Sequence, residues 1–191
     1  VTQTPVDAVT VVLGPAPTPT AKGQLFGLEG AVLLQPEGTV IAQFAELSRI
    51  VRRSARTVVV AGDLMVPRVA LAPIADDGRA PTTALVTPDP EGLMTVRHHT
   101  VVSAGSSFHD VRFPSHDSIG ALVIAPSDAS QAAAAIDDLR QACASGEVTV
   151  GEDQAFDALL VALVRHGVTV RATDIVDVPW ARGSGCLLYT S

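Results

Sequence analysis

A carboxylate at the end of an apolar run is the residue in this sequence best placed for chemistry. Residues 57–61 are small or β-branched, which is typical of a strand buried on both faces, and Gly62 and Asp63 follow them. In doubly wound α/β folds, ligands bind outside the carboxyl ends of the strands, where a carboxylate can hold a metal ion or a sugar hydroxyl. The alternative interpretation is a simple turn followed by a helix cap.

A second candidate is the loop after the first predicted strand, residues 9–13. Residues 14–20 read GPAPTPT, and Lys22 follows them. A glycine-rich loop at this place can wrap phosphate groups with its backbone N–H groups. Here three prolines at alternate positions remove such donors and exclude a helix, so a plain extended loop is the competing interpretation.

The polar stretch of residues 105–118 concentrates titratable side chains. These are His109, Asp110, Arg112, His116 and Asp117. Loops carry functional residues more often than strands do, but this spacing matches no zinc, catalytic-triad or paired-carboxylate pattern. We interpret the stretch as a polar surface loop, with substrate contact as the alternative.

The composition narrows the class of protein. Of the 191 residues, 47% are hydrophobic but only 4% are aromatic, so Val, Ala and Leu must fill the core, as in α/β layering. A net charge of −7 without a basic run argues against nucleic-acid binding. Cys143 and Cys186 form no metal or disulfide pattern, and no apolar run approaches the roughly 20 residues of a membrane span. We therefore expect a cytoplasmic chain without a span of its own.

Strand and helix patterns alternate along the chain. Strands are predicted at residues 9–13, 31–34, 57–61, 82–86, 119–125 and 168–172, with a hairpin at 93–96 and 100–103. Helices are predicted from a Thr39 cap to about residue 55, at 67–75, from 127 or 128 to about 144, and from 152 or 153 to 165. This order predicts an α/β fold in three layers, with a mainly parallel sheet flanked by helices.

Residues 1–183 are predicted to form a single domain. The chain begins with Val and no signal peptide precedes it, so we expect its N-terminus to be a fragment end. Trp180, the only tryptophan, is expected to pack the closing segment onto the sheet. Residues 184–191 show neither periodicity nor capping and resemble translated adapter DNA, so we exclude them from the domain.

Three segments together resemble a known family. Residues 58–64, VVVAGDL, look like the strand of sugar nucleotidyltransferases that ends in a metal-binding aspartate. Residues 97–128, which contain VVSAGS and IGALVIAPSD, and residues 153–183 resemble the nucleotidyltransferase-like domain that precedes a membrane CDP-alcohol phosphatidyltransferase domain in some bacterial bifunctional proteins. The resemblance covers residues 39–183 and implies a nucleotide-diphospho-sugar transferase-like fold of the GT-A type.

The resemblance also implies a chemistry, that of a CTP-dependent cytidylyltransferase. A phosphorylated polyol would attack the α-phosphate of CTP, giving a CDP-alcohol and pyrophosphate, with Mg²⁺ neutralising the phosphate charge. Asp63 would correspond to the carboxylate that holds the metal. A second carboxylate, Asp174 or Asp177, would complete the metal shell.

The loop after the first strand departs from the family pattern. Active members carry a glycine-rich loop with an arginine and then a lysine, whereas here prolines follow Gly14 and the loop holds no arginine. Gly14 and Gly62 would be the glycines at the nucleotide, and Lys22 would stand in for the lysine. Because lost donors remove transition-state stabilisation, we expect a degenerate domain that is weakly active or non-catalytic.

Two further functions stay open at this point. One is a non-catalytic module that binds nucleotide, and the other is a structural or interaction module. Either would be attached to a membrane phosphotransferase domain that follows in the full-length protein, on the cytoplasmic face of the membrane.

Overall fold

The computed structural model describes residues 8–14, 32–34, 38–54, 56–66, 70–71, 74 and 79–182. Its strands are β1 (Ala8–Leu13), β2 (Val32–Leu34), β3 (Arg56–Ala61), β4 (Leu64–Met65), β5 (Thr83–Pro88), β6 (Met94–Arg97), β7 (Thr100–Ala104), β8 (His116–Ile124), β9 (Arg171–Asp174) and β10 (Ala181–Arg182). Its helices are α1 (Val40–Arg53), α2 (Ala129–Ser145) and α3 (Ala155–Arg165). Short 3-10 turns, Pro126–Asp128 and Glu152–Gln154, lead into α2 and α3.

Eight strands form one sheet in the order β2-β1-β3-β8-β5-β9-β7-β6, and β4 and β10 form a separate two-stranded ribbon. β1 is parallel to β2 and β3, and β5 is parallel to β9. β8 is antiparallel to both of its neighbours, β3 and β5. The sheet is therefore mixed where a mainly parallel one was predicted. A short buried apolar run reads the same in either direction, so the sequence of β8 did not reveal its orientation.

The strand that leads to Asp63 is the most protected of the central strands. Every residue of β3 is buried, as its sequence predicted, and the strand lies between β1 and β8. Val59 and Val60 have no solvent exposure. Both faces and both edges of β3 are covered, so packing holds the end of the strand, and the residues that follow it, in place.

The helices begin and end close to the predicted positions. The Thr39 side chain accepts a hydrogen bond from the Ala42 N–H and caps α1, whose basic last turn suits the negative end of the helix dipole. On α3, the predicted apolar face is buried except for Val164, which is half-buried. The predicted helix at 67–75 lies mostly outside the described residues, and residues 70, 71 and 74 are helical.

Helix α2 packs against both α1 and α3. The Ser48 hydroxyl of α1 donates to the Ala133 carbonyl of α2, and Gln131 of α2 donates to the His166 carbonyl at the end of α3. The three-layer order stays a prediction. In the described part of the chain, no helix is both long and apolar enough to cross a membrane.

Of the strand boundaries that differ from the predictions, two affect candidate residues. The last long strand is Arg171–Asp174 rather than 168–172, so Asp174 ends the strand instead of following it. β8 begins at His116, so His116 and Asp117 belong to a strand and not to the polar loop. In both cases backbone pairing with β5 extends the strand beyond its apolar run.

Candidate functional site

The ends of β1 and β3 bring Gly14, Gly62 and Asp63 together. The two strands are in parallel register up to Leu13 opposite Ala61, so the next residues, Gly14 and Gly62, are neighbours. Asp63 follows in the turn between β3 and β4 and is partly exposed. The carboxylate therefore lies at the carboxyl edge of the sheet, as the sequence predicted.

Gly14 has no room for a side chain. Its φ is +93°, and a Cβ built there would lie 2.6 Å from the Glu152 carbonyl oxygen. Its N–H donates to Gln43 Oε1 at 3.0 Å in a buried hydrogen bond. Gly14 thus joins the end of β1 to the turn before α3, and its own N–H is directed at Gln43 rather than at the open edge.

A cavity of about 510 Å³ opens beside Asp63. Its walls come from four separate parts of the chain: the β3–β4 turn, the start of β8, the turn and first turn of α3, and the segment that enters β10. The lining residues are Asp63, Asp117, Asp153, Gln154, Asp157, Trp180 and Ala181.

Sheet topology explains why Asp117 faces this cavity. β8 runs antiparallel to β3, with Val60 opposite Ala121, so the beginning of β8 lies at the carboxyl end of β3. Asp117 Oδ1 accepts hydrogen bonds from the Ser118 N–H at 2.9 Å and the Leu93 N–H at 3.4 Å. These bonds fix the carboxylate at the cavity wall.

The closing segment reaches the cavity through the small ribbon. Ala181 pairs with Met65 and Arg182 with Leu64, directly after Asp63. Trp180 precedes this pairing, is half-buried and packs against the hydrophobic core, as predicted. The only indole of the chain therefore borders a cavity whose other walls are largely carboxylates.

Asp174 and Asp177, the two carboxylates proposed as partners of Asp63, lie at the end of β9 and three residues beyond it. Asp174 pairs with Val86 in the sheet, and its Oδ1 is 3.2 Å from His116 Nε2, while Ser115 Oγ is 2.8 Å from His116 Nδ1. Asp177 is exposed with φ +60°. Neither residue is among those that line the cavity, and Lys22 lies outside the described residues.

Two acidic residues of the cavity, Asp153 and Asp157, were not named as site candidates from the sequence, and Asp117 was interpreted as part of a polar surface loop, with substrate contact as the alternative. Asp153 and Asp157 are four residues apart at the start of a helix, a spacing that places both on one side. That signal was present in the sequence, but acidic residues in a first helical turn are ordinarily explained by the helix dipole. For Asp117, only the strand order supplies the information.

The donor chemistry of this cavity suits Mg²⁺, although the described side chains do not enclose a metal by themselves. Among them, no three His, Cys, Asp or Glu side chains are placed to hold an ion together. Magnesium is a hard cation that usually takes one or two carboxylates, and water and substrate phosphate complete its shell. Asp63 meets that requirement at the edge of the cavity.

Comparison with known proteins identifies the fold. No protein-family model and no curated protein matches the sequence. The solved inositol-1-phosphate CTP transferase from T. maritima is similar over 95% of this chain and 90% of its own, with a TM-score of 0.54 and 13% identity. The CTP:phosphocholine cytidylyltransferase from Streptococcus pneumoniae is similar over 93% of both chains, with a TM-score of 0.54 and 9% identity. The fold of this chain is therefore similar to the fold of these two solved transferases.

Proposed function

We propose that this chain binds CTP with Mg²⁺ at the carboxyl ends of β1 and β3, as a degenerate cytidylyltransferase-like domain of a protein in CDP-alcohol and phospholipid metabolism. The observation that carries the proposal is the cavity at Asp63, which lies beside Gly14 and Gly62 in a fold shared with two solved CTP-using enzymes. The wider context, a membrane CDP-alcohol phosphatidyltransferase domain in the same protein at the cytoplasmic face, rests on the sequence resemblance.

The residues of the cavity have distinct roles in this proposal. Asp63 holds the metal, whose charge offsets that of the nucleotide phosphates. Asp117 is a candidate for the second carboxylate because it lines the same cavity, whereas Asp174 and Asp177 are the candidates chosen by their position in the sequence. In turnover, an oxygen of a phosphorylated polyol would form a bond to the α-phosphorus of CTP as the bond to pyrophosphate breaks.

Weak or absent turnover is part of the proposal. The prolines at 15, 17 and 19 carry no N–H, and the N–H of Gly14 is donated to Gln43. Fewer backbone donors are then available for phosphate oxygens. Since oriented N–H groups supply a large part of transition-state stabilisation, their loss lowers turnover more than it lowers binding.

The test is calorimetric titration of the chain with CTP and Mg²⁺. We expect binding by the wild type, and a loss of roughly tenfold or more in Asp63→Asn, because one metal carboxylate is removed. Asp110→Asn is the matched control, since it removes an exposed carboxylate away from the cavity. Asp117→Asn, Asp174→Asn and Asp177→Asn separate the three candidates for the second carboxylate. If Asp63→Asn binds CTP with Mg²⁺ as tightly as the wild type does, Asp63 is not a ligand of the metal.

The second candidate function is a module that binds nucleotide without catalysis. The proline-filled loop favours it, for the reason given above. Pyrophosphate release from CTP in the presence of phosphorylated polyols separates the two functions. Release that disappears in Asp63→Asn supports a residual enzyme, and binding without release supports the module. If the wild type gives no heat with CTP, both candidates fail.

A further inference from the structure

Gln43 is a polar side chain buried in the middle of α1. It is only 3% exposed, although glutamine is rarely buried to this extent unless its amide is hydrogen-bonded. Its Oε1 accepts from the Gly14 N–H at 3.0 Å, and its Nε2 donates to the Gly38 carbonyl at 3.4 Å. Because one partner is a donor and the other an acceptor, the chemistry of the partners fixes the orientation of the amide.

The two partners of Gln43 bracket a single segment of the chain. Gly14 is the residue at which the backbone leaves β1, and Gly38 precedes the Thr39 cap of α1. Both glycines have positive φ, +93° and +101°. One side chain therefore ties together the two ends of residues 15–37, the segment that contains the prolines and Lys22.

An amide is the group that this position requires. A hydrocarbon side chain of similar size would leave the buried Gly14 N–H without a partner. A carboxylate could accept from Gly14, but it has no donor for the Gly38 carbonyl and would bury a charge. Gly14 in turn packs on Glu152 and lies beside Gly62, so its placement affects the residue next to Asp63.

We propose that Gln43 is a positioning residue for the nucleotide site. It clamps both ends of segment 15–37 and holds Gly14 against the turn before α3. Gln43 acts through Gly14 and contacts no ligand. Its role in nucleotide binding rests on the function proposed above, whereas the clamp itself rests on the two hydrogen bonds.

The chain offers a matched control on the same helix. Ser48 is also 3% exposed, and its hydroxyl donates to the Ala133 carbonyl on the side of α1 that faces α2. Gln43→Leu and Ser48→Ala each remove buried hydrogen bonding from α1, but only Gln43→Leu affects Gly14. Gln43→Glu keeps the acceptor for Gly14 and loses the donor for Gly38, and it serves as the conservative variant.

The first measurement compares thermal midpoints with CTP affinity. We expect Gln43→Leu and Ser48→Ala both to lower the midpoint, because each removes a buried hydrogen bond. Of these two variants, only Gln43→Leu should weaken CTP binding, by about tenfold. The conservative variant Gln43→Glu should weaken CTP binding less than Gln43→Leu does. Equal CTP affinity in Gln43→Leu and Ser48→Ala would overturn the role of Gln43 in nucleotide binding.

The second measurement does not depend on nucleotide. Lys22 is the only lysine of the chain and lies between the two clamped glycines, so a lysine-specific protease reports on segment 15–37 alone. We expect native-state cleavage at Lys22 to be at least about fivefold faster in Gln43→Leu than in Ser48→Ala, since only Gln43→Leu releases Gly14 and Gly38 at the two ends of the segment. Equal cleavage rates would overturn the clamp. Faster cleavage in a protein whose wild type binds no CTP would support the clamp and overturn the proposed function.

Discussion

Gly14 meets two steric constraints at once, and each excludes a side chain for a different reason. Its φ of +93° lies in a region that other L residues rarely adopt, and the Glu152 carbonyl lies where a Cβ would be. The second constraint comes from a residue 138 positions later in the chain. It is also made by backbone, which cannot move aside as a flexible side chain can.

The contribution of the second constraint can be measured against another glycine. Gly146 ends α2 with φ +77°, but a Cβ there would meet nothing within 4 Å. We expect Gly146→Ala to lower the free energy of unfolding by about 1 kcal/mol, from backbone strain alone. Gly14→Ala should cost at least about 2 kcal/mol more, because the carbonyl must also be displaced. Urea unfolding of both variants is the measurement, and equal losses would show that the contact with Glu152 relaxes freely.

The sequence predicted which glycine and which carboxylate lie at this edge, but not what surrounds them. Gly62 and Asp63 follow an apolar run, and a local pattern is sufficient to place them at the end of a strand. The bond from Gly14 to Gln43 and the approach of Glu152 depend on how α1 and α3 pack against the sheet. Such contacts between distant residues leave no periodic signal.

The contact between α1 and α2 combines a buried hydrogen bond with surface ion pairs. Asp137 of α2 lies next to Arg52 of α1 and Arg140 of its own helix. Burial alone would raise the pKa of Asp137, but the hydrogen bond from Arg52, the polar Ser48 hydroxyl and the charges of both arginines outweigh it, and the pKa lies below its usual value. The ionised carboxylate therefore contributes to the stability of the helix pair.

This contribution has a definite dependence on pH. Because the pKa in the folded protein lies below the reference value of 3.8, the stabilisation is present above that value and is lost as pH falls through the folded pKa. The side chains are partly exposed, so we expect a coupling of only about 0.5 kcal/mol between Arg52→Ala and Asp137→Asn at neutral pH. Urea unfolding at several pH values provides the double-mutant cycle. A coupling that stays constant below pH 3.8 would contradict the assignment.

Helices and strands were predictable to different degrees for a physical reason. The apolar faces of α1 and α3 recur at helical spacing, and the Thr39 cap marks where α1 begins. For the strands, buried runs gave the positions of β3 and β8 but not their relative direction. The shift of β9 to Arg171–Asp174 has the same origin, because its limits are set by pairing with β5 rather than by its own hydrophobicity.

The antiparallel insertion of β8 determines which residues can share a site. A parallel β8 would have placed its carboxyl end, not Asp117, beside Asp63. The cavity also needs the α3 turn and the β4–β10 ribbon, so its walls come from residues as far apart as Asp63 and Trp180. No single stretch of sequence carries this arrangement, which is why Asp117, Asp153 and Asp157 were not identified as one group.

The position of Trp180 gives a direct way to ask whether nucleotide enters this cavity. Trp180 is the only tryptophan, it is half-buried, and it lines the wall that includes Asp63. A nucleotide bound there would change the surroundings of the indole, so we expect CTP with Mg²⁺ to change its fluorescence. The midpoint of that change should agree with calorimetry.

Two controls tie the fluorescence signal to the site. The change should move to roughly tenfold higher CTP concentration in Asp63→Asn, in parallel with the calorimetric loss. It should stay as in the wild type in Asp110→Asn, whose substituted side chain does not line the cavity. Removal of the metal with a chelator should abolish it, because the charge of the nucleotide phosphates is then no longer offset by Mg²⁺. Binding heat without any change in Trp180 emission would place the nucleotide elsewhere on the molecule and overturn the assignment of this cavity.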